Sequence, residues 1–221
     1  MSRLKRHAGT YYRRNLPHYQ PPNCTYFTTF RLVGSLPCEA LNKLRDERTE
    51  AMRKIAGLSS RSTRREKYLE FRWRYYVECD ALLDAASTGP NWLAEAPIMS
   101  IVSDAMHYWD GNLYDLLGFT IMPNHVHLVF GVGEPRPGST GAGFVVTDIL
   151  GSIKKYSARA AHIELRRDGD FWQHESYDHL IRNGEELERI LWYMILNSVS
   201  AGLVGSWEEW PGTYCKPGLL E

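Results

Sequence analysis

The order of elements along this chain predicts an α+β protein, a small and mostly antiparallel sheet with helices packed on it. Two patterns carry that expectation. Apolar runs with strand and helix character follow one another as strand, helices, strand pair, helix, strand, helix. That order implies few parallel βαβ units. The strand pair is also joined through Pro123-Asn124, which reads as a turn. At 221 residues the chain can bury a sizeable core without disulfide staples.

Residues 1–23 read as a basic arm. Arg3, Lys5, Arg6, Arg13 and Arg14 occur there with no acidic residue, ahead of Pro17, Pro21 and Pro22. Residues 24–33 (CTYFTTFRLV) have the Thr and aromatic content of a first strand. Gly34 to Pro37 ends it, and Pro37 suits the first turn of a helix. Residues 38–88 are helical in composition, with a break over 57–63. Leu41, Leu44, Met52 and Ile55 form the stripe of the first helix. The second, over 64–86, would turn Leu69, Trp73, Tyr76 and Val77 to one face and its arginines and Lys67 elsewhere. Gly89-Pro90 stops it. A third helix over 96–109 carries Ile98, Ile101, Val102 and Met106.

Residues 114–122 then predict a strand that turns at Pro123-Asn124 into a second one. Residues 132–143 are rich in Gly and Pro and read as a loop. A helix over 145–165 places Ile149, Leu150, Ile153, Tyr156, Ala160 and Ile163 at helical spacing, with Lys154, Lys155 and Arg159 opposite. Residues 170–181 read as a strand or a broken strand, 185–197 as the last long helix, and 207–221 as irregular. Three segments result: an arm over 1–23, a main domain over 24–205 with a helical insertion over about 38–112, and a tail over 206–221.

Composition narrows the function classes only a little. Lys+Arg and Asp+Glu both number 26, so a nucleic-acid partner would have to be held by local basic patches. Cys24, Cys38, Cys79 and Cys215 form no CxxC pair, which disfavours a zinc ribbon and suits a reduced, cytoplasmic setting. No apolar run reaches the roughly 18–20 residues of a membrane span. The basic N-terminal stretch has no apolar core of the kind a secretory signal needs.

The chemistry centres on Gly118 to Phe130, GFTIMPNHVHLVF. Side chains alternate faces along a strand, so His125 and His127 project the same way. Two adjacent imidazoles on one rigid strand make half of a metal site. Tyr193 and Asn197, four apart on the last helix, share a helical face and could supply a hydroxyl and a carbonyl oxygen to that site. Three protein ligands with open positions is a catalytic layout. By pattern alone, Tyr193 beside Trp192 reads first as a core aromatic and Asn197 first as a helix-end residue.

Several segments in order resemble one family. GFTIMPNHVHLVF resembles the HUH motif of single-tyrosine transposases, in the branch of REP-associated tyrosine transposases. NLPHYQPPNCTYFTTFRLVGSLP is similar to that branch's lead-in and first strand, NWLAEAPIMSIVSDAMHYWDG to its mid-chain helix, and GDFWQHESYDHLIRNGEELERILWYMILNSVSAGLV to its C-terminal signature. The resemblance implies a ferredoxin-like sheet. It implies His125, His127 and Asn197 as ligands of Mg²⁺ or Mn²⁺, and Tyr193 as a nucleophile. The implied activity is cleavage and rejoining of single-stranded or hairpin DNA through a 5′-phosphotyrosine, by a monomer or a homodimer. One departure is that Asn197-Ser198-Val199 stands where the family usually has Asn-Pro-Val, which bears on how the helix end is held.

With DNA as substrate, Arg13, Arg14, Lys154, Lys155 and Arg159 become candidate phosphate contacts, and the arm's Tyr11 and Tyr12 suit base stacking. Two other classes stay open on the sequence. One is a hairpin DNA- or RNA-binding relative that does not cleave. The other is a metal-dependent nuclease that uses water instead of tyrosine.

Overall fold

The computed structural model describes residues 10–13, 17–20, 23–85, 88–133 and 146–220. A two-stranded antiparallel hairpin comes first, β1 (Thr10–Arg13) and β2 (Pro17–Gln20), within the segment expected as an arm. There follow β3 (Cys24–Arg31), α1 (Cys38–Ala56), α2 (Arg61–Asp84), α3 (Ala96–His107), β4 (Asp115–Ile121) and β5 (His125–Val132). The chain ends with α4 (Val146–Leu165), β6 (Tyr177–Ile181), α5 (Gly184–Ile195), the one-turn α6 (Asn197–Ser200) and β7 (Thr213–Cys215). Among the described residues no helix is long and apolar enough to cross a membrane, and all four cysteines are free.

Five strands form one antiparallel sheet in the order β6-β3-β5-β4-β7. Without β7 this is the ferredoxin-like order, in which α3 and α4 pack on the sheet, and α1 and α2 form the helical insertion, narrower than the expected 38–112. The α+β expectation holds. The β4–β5 hairpin closes over Pro123-Asn124, where the Met122 amide donates to the His125 carbonyl at 2.9 Å. Proline presets the backbone for the first central position of such a turn.

Strand alternation divides the sheet into two unlike faces. Val126, Leu128 and Phe130 of β5 join Tyr26 and Phe30 of β3 under α3 and α4. His125, His127 and Val129 point the other way, where Phe27 meets α5 and the Tyr76 face of α2. On α5, Ile190, Leu191, Met194 and Ile195 form the buried stripe. Asn183 caps that helix by accepting from the Glu186 amide at 2.8 Å.

Three local expectations change, and the open choice over 170–181 is decided. On α4 the buried stripe runs Val146, Ile149, Leu150, Ile153, Ser157, Ala161, and its drift leaves Tyr156 and Ile163 exposed. On α2 the buried residues are Phe71, Tyr76, Asp80 and Leu83, whereas Val77 is exposed. That helix serves two neighbours, because Leu83 packs with Leu44 of α1 while Tyr76 packs toward the sheet. Residues 170–181 break into a bridge between Trp172 and Leu32 and the separate strand β6. Finally, the stretch read as an irregular tail adds β7 to the sheet edge, too short a strand to leave a periodic pattern.

Gly118 lies beside the β4 bulge and permits a close approach. A Cβ there would sit 2.8 Å from Met194 Cε and 2.9 Å from the Tyr214 carbonyl oxygen. The backbone oxygen cannot yield cheaply, so Gly118→Ala should destabilise the protein by about 1–3 kcal/mol, read as a lower urea midpoint. An unchanged midpoint would mean that β7 and α5 are not packed this tightly on β4.

Candidate metal centre and tyrosine

The histidine pair is fixed from behind. His125 and His127 are fully buried. Asn124 Nδ2 donates to the Leu83 carbonyl at 2.9 Å, which turns its Oδ1 toward His125 Nδ1 at 2.7 Å. An acceptor at that distance makes Nδ1 the protonated nitrogen and leaves a lone pair on Nε2. His127 Nδ1 lies 2.8 Å from Thr29 Oγ1 and 3.3 Å from the Tyr76 hydroxyl. Thr29 Oγ1 in turn reaches the Tyr76 oxygen as a donor at 3.4 Å. It is thereby set to accept from His127 Nδ1–H, so Nε2 again faces the site with a lone pair.

The two Nε2 atoms are 3.0 Å apart. Facing them is Asp80 of α2, a residue that the sequence did not single out. Its Oδ1 lies 3.3 Å from His127 Nε2 and 3.6 Å from His125 Nε2, is buried, and has no hydrogen-bond partner. Its Oδ2 accepts from the Tyr193 hydroxyl in a short contact and from Asn197 Nδ2 at 3.3 Å. Asp84, one turn further along α2, approaches His125 Nε2 at 3.9 Å. Thus β5, α2, α5 and α6 converge on one carboxylate. Tyr193 and Asn197 do come together at the histidines, and Asp80 is what joins them.

The electrostatics favour a cation here. Burial pushes His125 down to about 3, helped by its neighbour His127 and opposed by Asp80. Burial alone pushes His127 down to about 3. Both rings are therefore neutral, the form that ligates metal. Burial raises Asp80 above the usual carboxylate range, against the pull of His125 and of its hydrogen bonds to Tyr193 and Asn197. Asp84 is raised to about 7 by burial and then by the Asp80 charge. Tyr193 is held above its ordinary value, first by burial and then by Asp80.

Two imidazole lone pairs and a carboxylate oxygen this close, with no positive charge among them, repel one another. Donors about 3–3.6 Å apart are spaced as neighbours around one small cation at roughly 2.0–2.2 Å. The donor set fits a divalent metal, with His125 Nε2, His127 Nε2 and Asp80 Oδ1 to hold it. Asn197 Oδ1 is likewise buried without a hydrogen-bond partner.

The proposed DNA contacts are spread differently. Lys154 Nζ donates to the Gln173 carbonyl at 2.9 Å and to Ser176 Oγ at 2.6 Å, so it ties α4 to the stretch before β6. Lys155 and Arg159 are exposed one turn apart on the same helix. Arg13 lies on β1, and Arg14 lies outside the described residues. His179 pairs with Glu186 Oε1 at 3.0 Å, and Asp178 lies beside Arg72, so these two residues tie β6 to α5 and α2.

Asp80 left a faint trace in the sequence. Tyr76, Asp80 and Asp84 recur every four residues, which puts two carboxylates on a line with a buried aromatic. In a helix this rich in charge, nothing local marks that line as the buried one. Asn124 carries only a turn signal in the sequence.

No family model matches the chain, and no curated protein matches it. A solved structure described as "Structure of the REP associates tyrosine transposase bound to a REP hairpin" superposes with a TM-score of 0.52. Identity is 16%, covering 91% of this chain and 80% of that one. The two chains share a fold.

The buried neutral histidines set an acid limit. Their ordinary value of 6.5 falls to about 3 on folding, so below pH 6.5 the unfolded chain binds protons that the folded chain refuses. Stability should be present above pH 6.5 and decline as pH falls toward 3, by on the order of 1 kcal/mol per pH unit per histidine. Urea unfolding from pH 7.5 to 4 checks this, and a flat profile would contradict neutral buried rings. In addition, Mn²⁺ should raise Tm for the native protein but not for Asp80→Ala. An equal rise in both would remove Asp80 from the site.

Proposed function

We propose that this chain is an HUH-type, metal-dependent DNA strand transferase that cleaves single-stranded, hairpin-bearing DNA. The observation that carries this reading is the Tyr193 hydroxyl on Asp80 Oδ2, while Asp80 Oδ1 faces the two histidine Nε2 atoms. One carboxylate thus links a nucleophile to a metal-type donor set. The fold shared with a REP-associated tyrosine transposase supports the same reading.

In the proposed reaction Tyr193 Oη attacks a backbone phosphorus. The new Oη–P bond replaces the bond to the 3′ oxygen, leaving a 5′-phosphotyrosine and a free 3′-hydroxyl. A phenol is a poor nucleophile until its proton has somewhere to go. Asp80 Oδ2 is positioned to take that proton, and the departing 3′ oxygen takes one from solvent. Asn197 Nδ2 holds Asp80 Oδ2 in place, and Asn124 and Thr29 hold the imidazoles. Mg²⁺ or Mn²⁺ held by His125, His127 and Asp80, with Asn197 Oδ1 beside them, would polarise a non-bridging phosphoryl oxygen. In the reverse direction, a 3′-hydroxyl attacks the phosphotyrosine and rejoins DNA without ATP. Lys155, Arg159, Arg13 and Arg14 are proposed to contact the DNA backbone.

The test uses a hairpin with a 5′ single-stranded tail, Mn²⁺ and a denaturing gel. Native protein should give a protein–DNA band that Tyr193→Phe loses entirely. His127→Ala should lower its yield by about 10²-fold or more. Cleavage that survives Tyr193→Phe would replace this reading with hydrolysis by water.

A further inference from the structure

A second space adjoins the proposed active site. A cavity of about 920 Å³ lies between α1, α2, β3 and the stretch before β6, and Thr29, Tyr76 and Asp80 are among its walls. Those three side chains stand between it and the histidine pair, and its size falls within the roughly 300–1,000 Å³ of ligand sites. The helix that closes it is unusual for a hairpin helix. Leu41, Arg45, Arg48 and Met52 follow one helical stripe of α1, and all four line the cavity. A stripe facing a dry helix–helix seam would be apolar throughout. Here two arginines stand at its middle, and among the described residues neither forms an ion pair. Arg31 faces them from β3, its guanidinium fixed by Ser35 Oγ at 3.0 Å. Tyr75 of α2, half-buried, lines the same space.

Cations at the centre, apolar side chains at the ends and an aromatic ring on the wall make a chemical description of one nucleotide. We infer that this α1–α2 pocket seats an unstacked nucleotide of the single-stranded substrate next to the reacting phosphodiester. Its phosphate lies toward Arg45 and Arg48, and its base lies against Tyr75 and the Leu41–Met52 stripe. The inference rests on the proposed action on single-stranded DNA, and it gives the helical insertion a role in binding substrate.

Equilibrium binding of the tailed hairpin is measured by fluorescence anisotropy over a salt series, in the Tyr193→Phe background so that binding stays reversible. The double change Arg45→Ala, Arg48→Ala should weaken binding at least about tenfold and flatten the log–log salt slope by about 0.7, the value for one single-strand phosphate contact. Tyr75→Leu should weaken binding about tenfold with the slope unchanged, as loss of stacking does. Arg53→Ala with Lys54→Ala removes equal charge from α1 outside the pocket and should change neither quantity. Equal losses from both double variants, or none from the pocket variant while circular dichroism shows it folded, would overturn the inference. The adduct assay separates the two readings. A native protein that forms the adduct but binds independently of Arg45 and Arg48 overturns the pocket alone. One that binds through them yet forms no adduct keeps the pocket and overturns strand transfer.

Discussion

The two oxygens of the Asp80 carboxylate face different partners, and the arrangement of the site depends on that division. Oδ1 looks at two imidazole nitrogens that carry lone pairs. Oδ2 receives the Tyr193 hydroxyl and the Asn197 amide. A carboxylate this deeply buried is costly unless its charge is answered from every side. The surrounding structure supplies hydrogen-bond donors on one side and a place for a cation on the other. The same residue therefore sets the tyrosine's orientation, accepts its hydroxyl hydrogen bond and supplies the third corner of the donor set.

The fold and half of the site were legible in the sequence, for different reasons. Strand period two put His125 and His127 on one face. Four-residue spacing put Tyr193 and Asn197 on another, and the structure brings the two pairs together. These are local regularities, and local regularities survive in a linear reading. Asp80 did not survive, because its meaning comes from which side of α2 meets the sheet, and that is decided by Leu83 on Leu44 and Tyr76 on Phe27. Lys154 shows the converse. Its place on a basic helix face suggested phosphate, yet its ammonium is spent on Gln173 and Ser176.

Support for the site is layered behind the donors. Asn124 bonds through three atoms: its carbonyl accepts from Leu32 N, its amide nitrogen reaches the Leu83 carbonyl, and its amide oxygen meets His125. One turn residue thus registers β5 against β3, pins the end of α2 and chooses a tautomer. At the helix end, where Ser198 stands in place of the proline usual in the resembled family, Asn197 is tied by its side chain to Asp80. Position at that end is therefore held by a tertiary contact in addition to the backbone bonds Ala201 N to Asn197 O and Leu203 N to Ser198 O.

The placement of Asp80 also bears on modularity. A helical hairpin joined to a sheet by loops has the outward form of an accessory that could be shortened or exchanged. Here such an exchange would take away a metal donor and the tyrosine's hydrogen-bond acceptor together, leaving two imidazoles and an untethered amide. The hairpin and the sheet consequently act as a single unit at the site. A change at the far tip of α1 and α2, around residues 57–60, leaves the donors in place, whereas one where α2 passes β5 displaces them.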